Sequence, residues 1–260
     1  MSFGAMYKQL FALIALLSMA ECSIKEGQKL SDFLWEATAE YRQQALNASL
    51  IQGMVKKCLD PSAFGGYMVD DTVYCYEGSE SLKIAGGRSN DNVTLQTFLN
   101  LKAESWVGYW ERLNEIWHIK NAEGVRLGEA AKAYVNHIRN VSESQEPVYT
   151  VLALTPCAKL WPWLGQQIGA SENNFGVYTS WVKENLDPES TGYKKYEQQV
   201  EWAYEAGTVT ADKALEIFTT SMQNEVNFFN SVARCGCGAN VPSCFLLLAL
   251  LLISSRLYHP

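Results

Sequence analysis

The chain has 260 residues, of which 48% are apolar and 19% are charged, and it carries a formal net charge of -7 with a pI near 5.1. This length supports one sizeable core and does not require two domains. The acidic balance argues against a nucleic-acid-binding protein, because no stripe of Lys and Arg is present to neutralise phosphates. We therefore expect the partner to be a small molecule or another protein.

The first 20 residues resemble a signal peptide. Lys8 precedes an apolar stretch over residues 10–17, and Ser18-Met19-Ala20 has the small-x-small pattern of a cleavage site. A membrane anchor is the less favoured alternative, because about 20 apolar residues are needed to span a bilayer. We predict cleavage after Ala20 and a short lead-in over residues 21–30.

Three Asn-x-Ser/Thr sequons, at Asn47, Asn92 and Asn140, agree with export. N-glycosylation acts only on chains in the secretory route, so the three sites together favour a secreted glycoprotein.

Apolar residues recur mostly at spacings of three and four, which predicts an all-α domain over residues 31–233. The first helix is expected over 31–46 with Ser31 as its N-cap, and the second begins at Asp60-Pro61 and runs to about Ile84. Further helices are predicted at 95–119, 126–141, 147–168, 172–185, 191–205 and 210–233. This number predicts a bundle of seven or eight helices.

The C-terminal segment, residues 234–260, combines a Cys/Gly-rich spacer with an apolar run over 245–253 and a short polar end. Small residues followed by an apolar tail resemble a GPI signal, with Gly236 or Gly238 as the attachment site. A plain hydrophobic tail is the open alternative. The chain contains seven cysteines, but Cys235-Gly-Cys237 lacks the spacing and second pair of a zinc site, so we predict no metal site.

Two carboxylates lie on apolar helix faces. Asp71 shares a face with Phe64, Tyr67 and Tyr74 at spacings of three, four and three. Desolvating a carboxylate is costly unless it is paired, so Asp71 either contacts a ligand or pairs with a neighbouring helix. Spacing alone leaves both interpretations open.

Glu225 occupies the same kind of position in the last helix, in line with Phe218, Met222 and Phe229. Burial raises the pKa of a Glu, as a carboxyl acid/base working near neutral pH requires. A core carboxylate satisfied by an Arg or Tyr is the structural alternative.

Cys157 follows Pro156 inside an apolar helical segment. Pro156 removes a backbone donor and predicts a kink that opens space beside the thiol. Buried cysteines usually behave as small hydrophobic residues, and this alternative is favoured without further evidence. Tyr134, one helix earlier, either orients a substrate or packs in the core.

Taken together, these elements resemble the TenA (thiaminase II) family over roughly residues 31–233. The resemblance rests on five elements in the family's order and spacing: Phe64-Gly-Gly-Tyr67-Met-Val-Asp-Asp71-Thr-Val-Tyr74, Ala133-Tyr134, Leu154-Thr-Pro-Cys157, Tyr178-Thr-Ser-Trp181-Val and Asn224-Glu225-Val-Asn-Phe228-Phe229.

The resemblance implies a heme-oxygenase-like helical fold without heme or another cofactor, usually in a homotetramer. It implies hydrolysis of thiamine or its aminopyrimidine breakdown products, with Cys157 as the nucleophile and Glu225 as the acid/base. Asp71 would hold the aminopyrimidine edge. The residues packed around the ring would be Tyr74, Tyr134, Trp161 and Phe228.

Two positions depart from the family's pattern. Trp161 and Asn185 stand where the family often has tyrosines, which removes two hydroxyl groups near the thiol. Export is also foreign to the cytosolic members, so a non-enzymatic secreted or extracellular-matrix protein that keeps the fold is the alternative function. A heme-binding oxygenase is disfavoured, because the chain offers no convincing proximal His.

Overall fold

A computed structural model describes residues 24–233 of the chain. These residues form ten α-helices: α1 (Leu30–Ala37), α2 (Ala39–Leu46), α3 (Ser49–Val55), α4 (Pro61–Gly87), α5 (Val93–Trp117), α6 (Glu129–Ser144), α7 (Val148–Ile168), α8 (Thr179–Asn185), α9 (Tyr193–Glu205) and α10 (Ala211–Phe229). Two short 3-10 turns, at Ala122–Gly124 and Gly176–Tyr178, complete this part of the chain, which contains no strand. The predicted signal peptide and the predicted C-terminal anchor lie outside the described residues.

The all-α class is confirmed, but the count of seven or eight helices is wrong. The segment 31–46 is two helices, because Thr38 leaves helical geometry at φ -104° and ψ 20°. Its hydroxyl and its backbone amide both donate to the Leu34 carbonyl, at 2.8 and 3.2 Å, at the end of α1. The short helix α3 was missed altogether.

Two details of the predicted helix starts also differ. Ser31 does not cap α1; instead the carboxylate of Glu201 on α9 accepts from the amides of Leu30 and Ser31 at 3.2 and 2.7 Å. The segment 172–185 becomes helical only at Thr179. Gly169 and Gly176, with φ of 61° and 65°, hold the chain in left-handed turns before it.

The start of α4 is as predicted. The Asp60 carboxylate accepts from the amides of Ser62 and Ala63 at 2.7 and 3.3 Å, and Pro61 takes the first helical position. The cap fixes the beginning of the 27-residue helix that carries Asp71.

Helix α7 runs through the middle of the bundle. It stays helical through Pro156 and Pro162, and Leu152, Leu154 and Leu160 are buried completely or almost completely. The helix is apolar on nearly all sides because α9 and α10 pack directly against it. On the other side of the bundle α4 packs against α5 and α6, while α10 also packs against α6. The space between α4, α5 and α7 is the setting of the site.

The three predicted glycosylation positions, Asn47, Asn92 and Asn140, are all exposed. Asn92 also caps α5, because its side-chain oxygen accepts from the Leu95 amide at 3.0 Å. Within residues 24–233 no helix has the length and apolar content needed to cross a bilayer.

Candidate active site

A cavity of about 330 Å³ lies where α4, α5, α7 and α8 meet. Four residues singled out in the sequence line it: Asp71, Tyr74, Cys157 and Trp161. Asp71 and Tyr74 project from α4 at the predicted three-residue spacing, and Cys157 and Trp161 project from α7 one turn apart. The cavity thus brings a carboxyl, a phenol, a thiol and an indole together within one volume.

Glu225 lies in the layer behind this cavity wall. It is 2% exposed, and its carboxylate accepts a hydrogen bond of 2.7 Å from the hydroxyl of Tyr134, which is fully buried. The Cys157 thiol, which lines the cavity, adjoins this carboxylate within hydrogen-bonding reach. The tyrosine partner expected of a core carboxylate is therefore present, and the thiol is present beside it.

Aromatic rings pack around this polar centre. Tyr74 lies between Tyr134 and Phe228, at ring distances of 4.7 and 6.1 Å, and Phe228 also packs on Tyr67 at 4.7 Å. Phe228 is 2% exposed and supports Tyr74 from behind without lining the cavity. The hydroxyls of Tyr67 and Tyr74 are buried. The Tyr74 hydroxyl adjoins the Cys157 thiol and the Tyr134 hydroxyl, so it belongs to the same polar centre.

The two carboxyls have unusual acidity. Burial raises the pKa of Asp71 to about 7, and the charge of Asp70 adds to the shift. Burial also raises the pKa of Glu225 to about 7; the hydrogen bond from Tyr134 lowers it and the charge of Asp71 raises it. Both groups can therefore gain or lose a proton near neutral pH.

The Cys157 thiol is neutral at physiological pH. Burial, followed by the charge of Glu225, raises its pKa well above the ordinary value. A thiol in this state is a poor nucleophile unless a base removes its proton, and Glu225 is the adjacent base.

Six lining residues were not predicted as site residues from the sequence: Cys75, Ser105, Trp106, Tyr109, Glu184 and Asn185. Cys75 follows Asp71 by one helical turn, so the spacing that singled out Asp71 also applies to it. Trp106 and Tyr109 stand three residues apart on α5, but their pattern alone does not distinguish a cavity wall from core. The resemblance had placed Asn185 near the thiol, whereas Glu184 could not be placed without the fold.

The resemblance predicts that a hydroxyl group is lost at Asn185. Asn185 is instead hydrogen-bonded to a hydroxyl group that α5 supplies. The Tyr109 hydroxyl donates to Asn185 Oδ1 at 3.1 Å, and Asn185 Nδ2 donates to the Trp181 carbonyl at 2.9 Å. The second departure, Trp161, packs edge-on against Trp181 and Phe229 at 5.7 and 5.6 Å. The wall is thus built differently from the expected one, but it includes a phenol.

A larger groove of about 740 Å³ lies between α1, α7 and α9. Two of its carboxyls are already paired: Lys159 bonds Glu197 at 2.5 Å, and Glu201 holds the start of α1. The groove contains no thiol, so the smaller cavity is the better candidate. Neither His118 nor His137 lines that cavity; His137 instead pairs with Ser221 Oγ at 3.0 Å.

Comparison with known sequences identifies the family. The sequence model of the TENA/THI-4/PQQC family matches residues 35–235. The chain belongs to this family. Among curated proteins it resembles an aminopyrimidine aminohydrolase of Halalkalibacterium halodurans, with 23% identity over 161 residues that cover 58% of this chain and 70% of the relative.

Solved structures of TenA homologues have the same fold. The chain superposes on the TenA homologue of P. horikoshii OT3 with a TM-score of 0.65 and 16% identity, covering 77% of this chain and 96% of that one. A heme oxygenase of Leptospira interrogans matches with a TM-score of 0.54 and 15% identity, covering 78% and 100%. The heme-oxygenase-like fold inferred from the resemblance is therefore confirmed.

Proposed function

We propose that this TenA-family chain hydrolyses thiamine or its aminopyrimidine breakdown products in the cavity between α4 and α7. The observation that carries the proposal is the position of the Cys157 thiol, between the cavity and a buried Glu225–Tyr134 pair, with Asp71 lining the same cavity. The aminohydrolase relative supports this substrate class.

In the proposed reaction the sulfur of Cys157 adds to a carbon of the pyrimidine ring, forming an S–C bond, while Glu225 takes the thiol proton. The bond between the exocyclic methylene carbon and the leaving nitrogen then breaks; thiazole leaves as a neutral base, whereas the amine leaves as ammonia after receiving the proton from Glu225. Water adds its oxygen to the methylene carbon and gives up a proton, and the S–C bond breaks, which releases hydroxymethylpyrimidine and regenerates the thiol. A pKa of about 7 lets Glu225 take and return a proton within one catalytic cycle. Tyr134 holds the carboxylate in one orientation through its 2.7 Å bond.

Asp71 is proposed to hold the amino edge of the pyrimidine. A carboxyl can accept from an exocyclic amino group and, when protonated, donate to the neighbouring ring nitrogen. The pKa of about 7 makes both protonation states accessible. Tyr74 and Trp161 would contact the faces or edges of the ring, with Phe228 and Tyr134 supporting Tyr74.

We also propose that the chain is exported, that it assembles as a homo-oligomer and that its tail attaches it to a membrane. The exposure of all three sequons supports export. Cys58 is disulfide-bonded, which fits an oxidising compartment.

The test is turnover by the purified chain. Thiamine and 4-amino-5-aminomethyl-2-methylpyrimidine are incubated separately with wild-type protein and with Cys157→Ala, and the hydroxymethylpyrimidine product is quantified. We expect product from at least one substrate in the wild type only. Absence of product above the Cys157→Ala background would favour the alternative, a non-enzymatic extracellular protein with this fold.

A further inference from the structure

The charged side chains that line the cavity are all acidic. Asp71 lies inside and is 7% exposed, while Glu184, whose side chain is 66% exposed, stands at the rim. No Lys, Arg or His of the described residues contributes to the lining. Phosphate groups are bound by cations and by clustered hydrogen-bond donors, so this lining is unfavourable for them.

Tyr109 and Asn185 line the cavity as a hydrogen-bonded pair. Asn185 Nδ2 donates to the Trp181 carbonyl, which turns Oδ1 towards Tyr109, and the Tyr109 hydroxyl donates its one proton there. The phenolic oxygen therefore retains only its lone pairs for a ligand. Burial raises the pKa of Tyr109, so the phenol stays neutral. Tyr109 can thus accept a hydrogen bond from a group that donates one.

A basic group, Arg112, lies beside the rim without lining the cavity. Its guanidinium lies 3.7 Å from Glu184 Oε1 and 5.2 Å from the centre of the Tyr109 ring. Glu184 thus partly neutralises this cation. Removing Glu184 would leave Arg112 without this partner beside the cavity.

We infer that this cavity selects its substrate by charge: Glu184 and the Tyr109–Asn185 pair favour cationic, hydrogen-bond-donating pyrimidines and reject the phosphate esters of thiamine. The inference rests on the proposed function for the identity of the ring. Thiamine and the aminomethylpyrimidine are cations and suit an acidic lining. A phosphate ester brings an anion into a cavity whose charged lining groups, Asp71 and Glu184, are both carboxyls.

The rim is tested by kinetics on the full chain with thiamine and thiamine monophosphate. We expect kcat/KM for the monophosphate to be at least about tenfold lower than kcat/KM for thiamine, since like charges in contact are strongly disfavoured. Glu184→Gln should reduce the ratio of kcat/KM for thiamine to kcat/KM for the monophosphate at least about threefold, because Arg112 loses its acidic partner. Glu216→Gln is the matched control, because it removes an equally exposed carboxylate, 67% against 66%, from an ion pair outside the cavity. Equal kcat/KM values for the monophosphate and thiamine in the wild type would overturn the inference. So would an equal ratio of these two values in Glu184→Gln and Glu216→Gln.

The wall is tested through the split between KM and kcat. Tyr109→Phe removes the acceptor, and we expect KM for the aminomethylpyrimidine to rise about fivefold with a smaller change in kcat. Asn185→Leu should produce a similar rise, and Asn185→Asp, which keeps an acceptor for the Tyr109 proton, a smaller one. An equal fall of kcat in all three variants with KM constant would contradict a role in selection.

Binding separates this inference from the proposed reaction. Calorimetric titration of Cys157→Ala with thiamine and with its monophosphate needs no turnover. Tighter binding of thiamine supports charge selection even if the wild type proves inactive. Equal affinity, tighter binding of the monophosphate, or no binding of either ligand contradicts it, whatever the activity assay shows.

Discussion

Glu225 is the residue whose chemistry depends most on where the fold puts it. Its carboxyl is almost fully buried, has Tyr134 as its hydrogen-bond donor and adjoins the Cys157 thiol. Burying a carboxyl disfavours its charged form, so this position also weakens the fold when Glu225 ionises.

This cost predicts the pH dependence of stability. The pKa of Glu225 is raised from 4.5 to about 7, so the folded state holds this proton more tightly than the unfolded state does. The resulting stabilisation is complete below the unfolded pKa and is lost as the pH rises through the folded value. We expect Glu225→Gln to increase the free energy of unfolding relative to wild type by about 1–3 kcal/mol at pH 8 and by little at pH 5.

Urea unfolding of both proteins at the two pH values gives this difference. Glu216→Gln, an exposed change, should show no such pH dependence. A Glu225→Gln difference that stays constant between pH 5 and pH 8 would mean that the carboxyl does not titrate as proposed.

Tyr134 should tune the acidity of Glu225. Its hydrogen bond lowers the pKa of the carboxyl, so Tyr134→Phe should raise that pKa further. In the pH profile of kcat/KM, the limb that requires ionised Glu225 should move to higher pH by about half a unit to one unit, with a lower maximum rate. Tyr149→Phe is the control, because Tyr149 is a buried tyrosine whose hydroxyl accepts from the Thr210 amide at 3.1 Å, away from the cavity. If both variants leave the limb in place, Tyr134 does not act on the carboxyl during catalysis.

For individual residues, the sequence was informative where the relevant side chains share one helix face. The spacing around Asp71, Tyr74 and Glu225 predicted inward-facing groups, and the structure places them at or behind one cavity. The Tyr109–Asn185 bond could not be predicted, since it joins residues 76 positions apart through the packing of two helices. The catalytic or binding roles of Asp71, Tyr74 and Glu225 stay predictions.

At the level of elements, the cavity wall depends on the close approach of α4 and α5. Gly78 faces Trp106 so tightly that a Cβ would lie 2.4 Å from ring atom Cζ3. Gly78→Ala must therefore push the indole away, and Trp106 also lines the cavity. We expect a loss of about 1–3 kcal/mol in stability and a higher KM.

Gly66→Ala on the same helix is the matched control. A Cβ there meets nothing within 4 Å, so the change should stabilise α4 by up to about 1 kcal/mol, without altering KM. Thermal unfolding and steady-state kinetics of both variants test this pair. Equal effects of the two changes would contradict the close contact.

The long helices could be predicted because their apolar spacing persists over many turns, and α4, α5, α7 and α10 lie within a few residues of the expected bounds. The short elements could not. Thr38 departs from helical geometry and divides one predicted helix, and α1 is capped by Glu201, 170 residues away from Ser31. Neither feature can be predicted from the local spacing of apolar residues.

On the scale of the whole molecule, a family fold is combined with features expected of an exported chain. We predict N-glycans at Asn47, Asn92 and Asn140 when the chain is expressed with its own leader in secreting eukaryotic cells. Glycosidase treatment should increase the gel mobility of the secreted protein, and loss of each sequon should remove one step. Thr94→Ala is the better change for the second site, since it keeps the Asn92 cap on α5. Retention in the cytosol or unchanged mobility would contradict export.

The most direct test of the account compares the two thiols of the cavity. Cys75 and Cys157 are both free and both line it, but only Cys157, on α7, is proposed as the nucleophile. We predict that Cys157→Ala lowers kcat/KM for aminopyrimidine hydrolysis by roughly 10³-fold or more, whereas Cys75→Ala lowers it by less than about tenfold. Comparable losses in the two variants, or activity retained without Cys157, would show that the reaction does not use this thiol.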